Sequence, residues 1–198
     1  MKKKIIFFCP TIGVGGVEKN LFKVINYLLG KDEFVYLITY SDNKIKKKFS
    51  KKLIIINGKD YFKTNLPYFL KVLICAINYI SHFSFNENNV FVSFQSNLYF
   101  ILLAKITGNK IIARSNAAPN FYLNNVIKKF IFKKIYNMAD IVLVNSLEFK
   151  RLFKKSLNIK TRFIYNPALN IKFLKSNYKK KIKNTKILFL NVGRLTTQ

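Results

Sequence analysis

Short apolar runs rich in β-branched and aromatic residues alternate along this chain with longer stretches that have the apolar period of an α-helix. The first run, Ile5 to Phe8, is followed by a glycine-rich turn and then by apolar residues at helical spacing from Val17 onward. Parallel strands need a crossover connection, and a helix is the usual one, so the alternation is typical of βαβ units. We therefore expect an α/β fold, with a mostly parallel sheet and helices on both faces.

The predicted elements cover most of the 198 residues. The predicted strands are 4–8, 34–40, 53–57, 90–94, 110–114, 140–144, 162–165 and 186–191. The predicted helices are 17–29, 66–84, 98–107, 124–137 and 147–154. The lysine-rich connection 42–52 is interpreted as a solvated loop, because a run of like charges is usually a solvated surface.

The glycine-rich turn after the first strand is the first candidate site. Gly13, Gly15 and Gly16 lack a Cβ, so another group can come close to the backbone there. The helix that follows offers unpaired N–H groups and a positive dipole end to an anion. The spacing differs from the dinucleotide-binding fingerprint and has no Gly-Lys-Ser/Thr ending. A phosphate-binding loop and a ligand-free turn between strand and helix both remain open.

The composition is strongly basic, with 36 Lys and Arg against 8 Asp and Glu and a formal net charge of +28. Such a charge indicates an acidic partner, which is a nucleic acid, an anionic membrane or a polyanionic ligand. Lys, Asn, Ile and Phe are abundant throughout, so a biased codon composition accounts equally well for part of the excess. No nucleic-acid-binding module accompanies the charge.

The stretch 126–136 interleaves four lysines, Lys128, Lys129, Lys133 and Lys134, with apolar residues at helical spacing. That pattern is typical of a basic helix on an anionic membrane surface, and a core-facing helix with solvated lysines fits the same period. The segment 66–85 is long enough to span a bilayer, but its polar residues favour a core helix. No cleavable signal is recognised at the N-terminus, which predicts a cytoplasmic protein.

Most catalytic constellations are not recognised in this sequence. It contains no zinc-binding Cys/His spacing, no Gly-x-Ser-x-Gly and no Walker loop. Cys9 and Cys75 are interpreted as ordinary buried thiols, and His82, in the middle of an apolar helix, as structural. Of the few acidic residues, Glu18 stands at the glycine loop, whereas Asp140 and Glu148 are interpreted as caps or surface residues.

Several motifs, taken in their order and spacing over the whole chain, resemble the GT4-type glycosyltransferases. These enzymes have the GT-B fold, in which two Rossmann-like domains face each other. The resemblance therefore makes the sheet described above Rossmann-like, the N-terminal half of a GT-B fold. The motifs that carry it are Gly15-Gly16-Val-Glu18, Val92-Ser-Phe, Ile111-Ile-Ala-Arg-Ser-Asn116-Ala-Ala-Pro119, Asp140-Ile-Val-Leu-Val-Asn-Ser146, Phe163-Ile-Tyr-Asn166-Pro167 and Leu190-Asn-Val-Gly193-Arg194-Leu.

The resemblance implies sugar transfer from a nucleotide-diphosphate sugar, with retention at the anomeric carbon and with neither a metal nor another cofactor. It places Gly15 and Gly16 near the donor diphosphate and has Arg194 bind the diphosphate from the second domain. Glu18 then lies by the acceptor, and Asn116 lines the sugar pocket; these two are the expected catalytic residues. Such positions suit the chemistry, because the leaving diphosphate must be neutralised as the sugar bond breaks.

The resemblance also implies a domain organisation. Residues 1–167 form an acceptor-side domain, 168–185 a basic linker, and 186–198 the first strand of a donor-binding domain. The family's lysine after the Gly-Arg-Leu strand and its Glu-x7-Glu segment would lie beyond residue 198. We therefore expect the 198-residue form to be truncated and to have little or no transferase activity by itself.

Substrate specificity is not readable from one position. Related members that act on bacterial surface glycans often have Ser-Glu-Arg-Asn where this chain has Ala113-Arg-Ser-Asn116, and many others have a histidine at the position of Asn116. The resemblance implies a role in bacterial surface polysaccharide or glycoconjugate biosynthesis, with a lipid-linked or glycan acceptor at the inner membrane surface and no specific nucleic acid. The alternatives are a non-catalytic basic domain that binds a membrane surface and, on charge alone, a nucleic-acid binder.

Overall fold

A computed structural model of the chain describes residues 3–41, 49–60, 66–83, 85, 89–119 and 125–167. The chain divides into two compact units, 1–167 and 168–198, and the described residues all belong to the first. The predicted linker, the predicted strand 186–191 and Arg194 lie outside the described residues, as does most of the lysine-rich connection 42–52.

One parallel sheet of seven strands organises the first unit, in the order β3-β2-β1-β4-β5-β6-β7. The strands are β1 Lys4–Phe8, β2 Phe34–Thr39, β3 Ile54–Asn57, β4 Val90–Ser93, β5 Lys110–Ser115, β6 Ile141–Val144 and β7 Arg162–Phe163. The helices are α1 Gly16–Leu29, α2 Tyr68–His82, α3 Asn97–Ile106, α4 Val126–Asn137 and α5 Leu147–Leu157, with a short 3₁₀ helix at Gly58–Asp60 after β3. The predicted α/β, Rossmann-like fold is confirmed.

Helices cover both faces of the sheet, because alternate residues of each strand point to opposite sides. On one face Phe7 packs with the buried residues of α1, such as Leu21 and Ile25. On the other face Ile6 and Phe8 belong to a larger core to which α2, α3, α4 and α5 all contribute. The strand order reverses direction between β1 and β4, and in open parallel sheets this is the point at which ligands bind.

Aromatic side chains hold the larger core together. The ring of Phe8 stacks on that of Phe100 at 4.2 Å between centroids and also contacts Phe91 at 5.0 Å. Phe132 of α4 stacks on Tyr136 at 4.2 Å, and Phe153 of α5 contacts both rings. These contacts fix α3, α4 and α5 against the sheet, since buried aromatic pairs add stability beyond the area that they bury.

Helix α2 is a core helix, as the polar residues of segment 66–85 suggested. Val72, Cys75 and Tyr79 are buried against the sheet. No helix within the described ranges is long and apolar enough to cross a bilayer. The prediction for His82 is wrong in one respect: it is the last residue of α2 and exposed, and its Nδ1 lies 2.8 Å from the carbonyl oxygen of Asn78.

Both cysteines are buried free thiols, as predicted. Burial raises the pKa of the Cys9 thiol, and the negative charge of Glu18 raises it further. Burial raises the pKa of Cys75 to about 12. Both thiols therefore remain protonated near neutral pH and behave as small apolar side chains.

Asp140 connects two neighbouring strands at the amino end of the sheet. Its Oδ2 accepts hydrogen bonds from the backbone N–H of Ile111 and from Nζ of Lys105, each at 2.8 Å. Partial burial by itself raises the pKa of this carboxyl, but the hydrogen bonds and the charge of Lys105 outweigh it, so the pKa lies below its usual value. Asp140 therefore has a structural role, which agrees with its interpretation as a cap or surface residue.

Candidate functional site

A cleft of about 280 Å³ opens at the carboxyl ends of β4 and β5, beside the start of α1. Its position next to the reversal of strand order is the usual place for a ligand in a sheet of this kind. The walls combine polar groups with aromatic and aliphatic side chains. The residues that line it are Val17, 94–99, 114–119, Phe132 and Tyr136.

The loop after β1 is tied to the loop after β4. The backbone N–H and the hydroxyl of Thr11 both donate to Oε1 of Gln95, at 3.2 and 3.1 Å. One residue further, the N–H of Ile12 donates to the hydroxyl oxygen of Ser41, at 2.8 Å. These hydrogen bonds position the glycine-rich turn at the edge of the cleft.

The glycines at the start of α1 differ in the space around them. Gly15 is the N-cap, and a Cβ built on it would lie 2.6 Å from Oε2 of Glu18. A Cβ on Gly16, the first helical residue, would meet no atom within 4 Å. Glycine at position 15 thus leaves room for the Glu18 carboxylate, whereas the space at Gly16 is open to another group.

Asn97 is the polar centre of the cleft floor. Its Oδ1 accepts from the hydroxyl of Ser93 at 2.8 Å, and its Nδ2 donates to the carbonyl of Arg114 and the hydroxyl of Tyr136, both at 2.9 Å. One side chain therefore joins the ends of β4 and β5 to α4. The preceding residue, Ser96, has a left-handed backbone with φ of 54°, which is uncommon for a residue with a side chain and is typical of functional loops.

Asn116 lines the cleft just after β5 and is held from both ends of its amide. Nδ2 donates to the carbonyl of Phe94 at 3.1 Å, and Oδ1 accepts from Nε of Arg114 at 3.2 Å. The residue is half-buried and lines the cleft. A fixed amide in such a position can hydrogen-bond a polar ligand without first being ordered.

Arg114, the residue before Ser115 on β5, is buried at the edge of the same cleft. Its guanidinium carbon lies 4.7 Å from the centre of the Phe94 ring, and Nη2 donates to Oδ1 of Asn166, after β7. Burial lowers the pKa of Arg114 from its ordinary value, but an arginine stays protonated at neutral pH. Arg114 was not predicted as a site residue from the sequence.

Of the predicted site residues, Asn116 lines the cleft, whereas Gly15, Gly16 and Glu18 are not among its lining residues. Val17, which lies between Gly16 and Glu18, does line it, so the start of α1 borders the cleft. Arg194 lies outside the described residues. The four predicted membrane-surface lysines are exposed on α4; they are Lys128, Lys129, Lys133 and Lys134. Helix α4 begins after its N-cap Asn125, whose Oδ1 accepts a hydrogen bond from the backbone N–H of Ile127 at 2.9 Å.

The outer surface of α4 is more apolar than a solvated helix requires. Val126, Ile127, Phe130 and Ile131 are exposed, and Val126 is 83% exposed. Only Phe132 and Tyr136 of this helix are buried in the core. The apolar residues of α4 therefore do not all face the core, and most of them stand in solvent beside the four lysines.

Some cleft residues were not predicted from the sequence. Gln95, Ser96 and Asn97 directly follow a predicted strand, and their place at the carboxyl end of that strand was a usable signal.

The described part of the chain holds no group of three or more His, Cys, Asp or Glu side chains arranged to bind a metal ion.

Comparison with known proteins shows likeness at the level of structure. No family model matches the chain, and no curated protein matches it either. HepE from Anabaena in complex with UDP-glucose is 15% identical, with a TM-score of 0.57 over 85% of this chain and 45% of that one. HepE in complex with UDP and glucose is 15% identical, with a TM-score of 0.55 over 86% of this chain and 46% of that one. A ugt transferase from Siraitia grosvenorii in complex with UDP is 10% identical, with a TM-score of 0.53 over 85% of this chain and 52% of that one.

At these identities the likeness shows the fold alone. The chain spans about half the length of the solved structures that it matches. It has the Rossmann-like fold expected for one half of a GT-B glycosyltransferase.

Proposed function

We propose that this chain is the acceptor-side domain of a glycosyltransferase of the GT4 type, which transfers a sugar from a nucleotide-diphosphate donor with retention and without a metal. The observation that carries the proposal is the cleft, in which the start of α1 and the fixed amide of Asn116 face one space. The likeness in fold to proteins solved with UDP or UDP-glucose supports a nucleotide-sugar donor.

Each site residue has a role in this proposal. The donor diphosphate approaches the N-terminus of α1 at Gly16, where space is open. It does not approach at Gly15, because the Glu18 carboxylate lies beside that residue and would repel the negatively charged diphosphate. Asn116 orients a sugar hydroxyl, and Glu18 binds the acceptor. Arg194, in the segment 186–198 that the motif resemblance assigns to a donor-binding domain after a linker at 168–185, supplies a further positive charge to the diphosphate.

We propose that the product belongs to bacterial surface polysaccharide or glycoconjugate biosynthesis and that the acceptor is lipid-linked or a glycan. The apolar part of the cleft wall, including Leu98, Tyr99 and Phe132, supports an acceptor with an apolar portion. Tyr99 is half exposed and lies in ring contact with Phe69 of α2, at 6.2 Å, so the apolar wall continues onto the outer surface.

A transfer assay tests this function. The protein, as the 198-residue chain and as any longer product of the same gene, is incubated with radiolabelled nucleotide sugars and inner-membrane vesicles. We expect label in the lipid or glycan fraction with the longer product, lost on Asn116→Ala and kept on Lys110→Gln, an exposed change at the opposite end of β5. If no donor gives transfer, or if Asn116→Ala transfers as well as the unmodified protein, the proposal is wrong.

We also propose that the domain lies on the inner face of the membrane as a peripheral protein, with α4 in contact with anionic lipid. The exposed apolar residues of α4 enter the interface, while Lys128, Lys129, Lys133 and Lys134 contact the headgroups. Charge complementarity favours this partner, since the whole chain carries +28 and the cytoplasmic leaflet is negative.

The neighbouring helices extend the same apolar surface. Helix α3 contacts both α2 and α4. The outer residues of α2 recur at spacings of three and four, and those of α3 do the same, so each helix presents one exposed apolar stripe. The exposed apolar residues are Phe69, Leu73, Ile77 and Ile80 on α2 and Tyr99, Leu102 and Ile106 on α3.

Flotation with liposomes tests the membrane contact. Changing the four lysines of α4 to Gln is expected to weaken binding to phosphatidylglycerol vesicles by at least roughly tenfold, because each lysine near an anionic surface contributes about 1 kcal/mol. The matched control changes Lys19, Lys31, Lys51 and Lys52 to Gln; these are exposed near α1, on the other side of the sheet, and removing them should have little effect. Equal losses in both variants would show that the net charge binds and that α4 is not the contact.

A further inference from the structure

Arg114 is a buried cation for which the described residues supply no carboxylate. Only 8% of the residue is exposed. Its hydrogen bonds go to the amide oxygens of Asn116 and Asn166, and the ion pairs Lys52 with Asp32 and Lys105 with Asp140 do not include it. Among the described residues, the positive charge of Arg114 therefore meets amide dipoles and the Phe94 ring and no opposite charge.

Burying an unpaired arginine lowers the stability of the fold, so its presence in the cleft wall indicates a function. A buried ionised group that lacks an opposite charge pays a large desolvation penalty, and native proteins usually pair such groups. Replacing Arg114 by an apolar residue would remove the penalty, and β5 is otherwise apolar at Ile111, Ile112 and Ala113. A bound anion would supply the missing charge.

The geometry leaves donors available for that anion. A guanidinium has five N–H groups, and the two hydrogen bonds of Arg114 use one on Nε and one on Nη2. The other three remain at a side chain that forms part of the cleft wall. The Nδ2 of Asn116 is engaged by Phe94, so the amide turns its oxygen to Arg114 and holds the guanidinium plane in position.

We propose that Arg114 binds a phosphate group of a ligand in the cleft, with Asn116 and Asn166 as positioning residues. The planar fork of an arginine pairs with two oxygens of a phosphate at once, which makes phosphate a better fit than a halide or a single hydroxyl. The apolar cleft wall beside it, with Phe94, Leu98 and Phe132, strengthens the attraction by excluding water.

Two transferase substrates carry such a group: the diphosphate of the nucleotide sugar and the phosphate of a lipid-linked acceptor. The assignment to a transferase substrate rests on the proposed function, whereas phosphate binding at Arg114 does not. The two sources are distinguishable, because the acceptor phosphate is attached to a long apolar chain and the donor diphosphate to a nucleoside.

Arginine side-chain NMR tests the inference on the intact 198-residue chain. The sequence has four arginines, so their Nε–H signals are few and assignable by single Arg→Lys changes. The probes are pyrophosphate, UDP and dodecyl phosphate below its micellar concentration, each added at physiological salt. We expect the Arg114 signal to shift with pyrophosphate, while those of the exposed Arg151 and Arg162 move little.

The stronger of the other two probes identifies the source. A larger response to dodecyl phosphate assigns the site to the acceptor, and a larger response to UDP assigns it to the donor. An Arg114 signal that none of the three probes moves overturns the inference, and so does a shift of equal size at all four arginines, which is non-specific binding to a basic protein.

Variants separate binding from a merely structural role. Arg114→Gln should weaken pyrophosphate binding, measured by calorimetry, by roughly 10- to 100-fold, and Arg114→Lys should keep part of it, because the charge remains and the fork is lost. Arg151→Gln is the matched control for net charge. Lower thermal stability in Arg114→Gln with unchanged pyrophosphate affinity would show that Arg114 only holds β7 to β5.

The test of phosphate binding at Arg114 is independent of the transfer assay. If phosphate binds at Arg114 and no sugar is transferred, the phosphate site stands and the proposed function fails. If sugar is transferred and Arg114 responds to none of the probes, the function stands and the inference fails.

Discussion

Replacing Asn97 by alanine should loosen the floor of the cleft and destabilise the domain. The change removes one hydrogen bond from Ser93 and two that Asn97 donates, to the carbonyl of Arg114 and to the hydroxyl of Tyr136. Both receiving residues are buried, at 8% and 4% exposure, so solvent cannot fully replace the lost donors. The alanine also leaves the αL backbone of Ser96 without the side chain that anchors the next residue.

The expected magnitude follows from the three hydrogen bonds. Each contributes about 0.5–1.5 kcal/mol to the free energy of unfolding, so the loss is about 2–4 kcal/mol. For a domain of this length such a loss lowers the melting temperature by roughly 5–15 °C. Tyr136→Phe removes only one of the three and should cost about 1 kcal/mol.

Urea unfolding followed by circular dichroism measures these values, with the single variants and the double variant forming a cycle. The double variant should cost about 1 kcal/mol less than the sum of the single changes, because the shared hydrogen bond is lost only once. A cost below about 0.5 kcal/mol for Asn97→Ala, or additive costs in the cycle, would refute the assignment of Asn97 as the polar centre of the cleft floor.

Two further predictions concern the frame that supports the site. Gly58→Ala should lower the free energy of unfolding by about 1–3 kcal/mol, because the new Cβ would clash with Ile74 and press on Tyr40. Gly16→Ala, where the added Cβ meets open space, should leave the free energy of unfolding unchanged or slightly higher. Equal effects of the two changes in the same urea experiment would contradict the close packing around Gly58. Asp140→Asn should cost about 0.5–1 kcal/mol at pH 7, a small value because the carboxylate is partly exposed. The pKa of Asp140 is depressed in the folded state, so the contribution of its carboxylate to stability is present above the unfolded pKa of about 4 and is lost as the pH falls through the lower folded pKa. The free energies of unfolding of the unmodified protein and of Asp140→Asn should therefore converge in acid. A difference between them that stays constant down to about pH 2 would contradict this.

The strands were the part of the fold most accessible from the sequence. Their apolar runs are local signals, and the bounds of β1 agree with the prediction, while β2 to β6 differ by a residue at one end or the other. The strand predicted at 162–165 is shorter, since β7 is Arg162–Phe163. The 3₁₀ helix at Gly58–Asp60 was not predicted, because a three-residue turn leaves no periodic pattern.

The residues of the site were harder to predict, because their environment depends on distant segments. Arg114 stands at the end of a predicted strand, where a charged residue usually indicates exposure, but in the fold it is buried and contacts Phe94 and Asn166, which are distant in sequence. The segment 66–84 was predicted as a core helix, yet the sheet covers one side of α2 and leaves Phe69, Leu73 and Ile77 in solvent. Asn116, in contrast, was predicted at the site through the motif resemblance, and it lines the cleft.

The most direct test of the account is whether substrate enters the cleft between the start of α1 and the end of β5. Alanine methyl groups labelled with ¹³C report on it, because Ala117 and Ala118 line the cleft while Ala104 and Ala139 do not. Titration of the chain with UDP-glucose and with dodecyl phosphate is expected to shift the signals of Ala117 and Ala118 in a saturable way and to leave Ala104 and Ala139 unchanged. Saturable shifts confined to the other alanines, or no shift with either ligand, would contradict the assignment of this cleft as the substrate site.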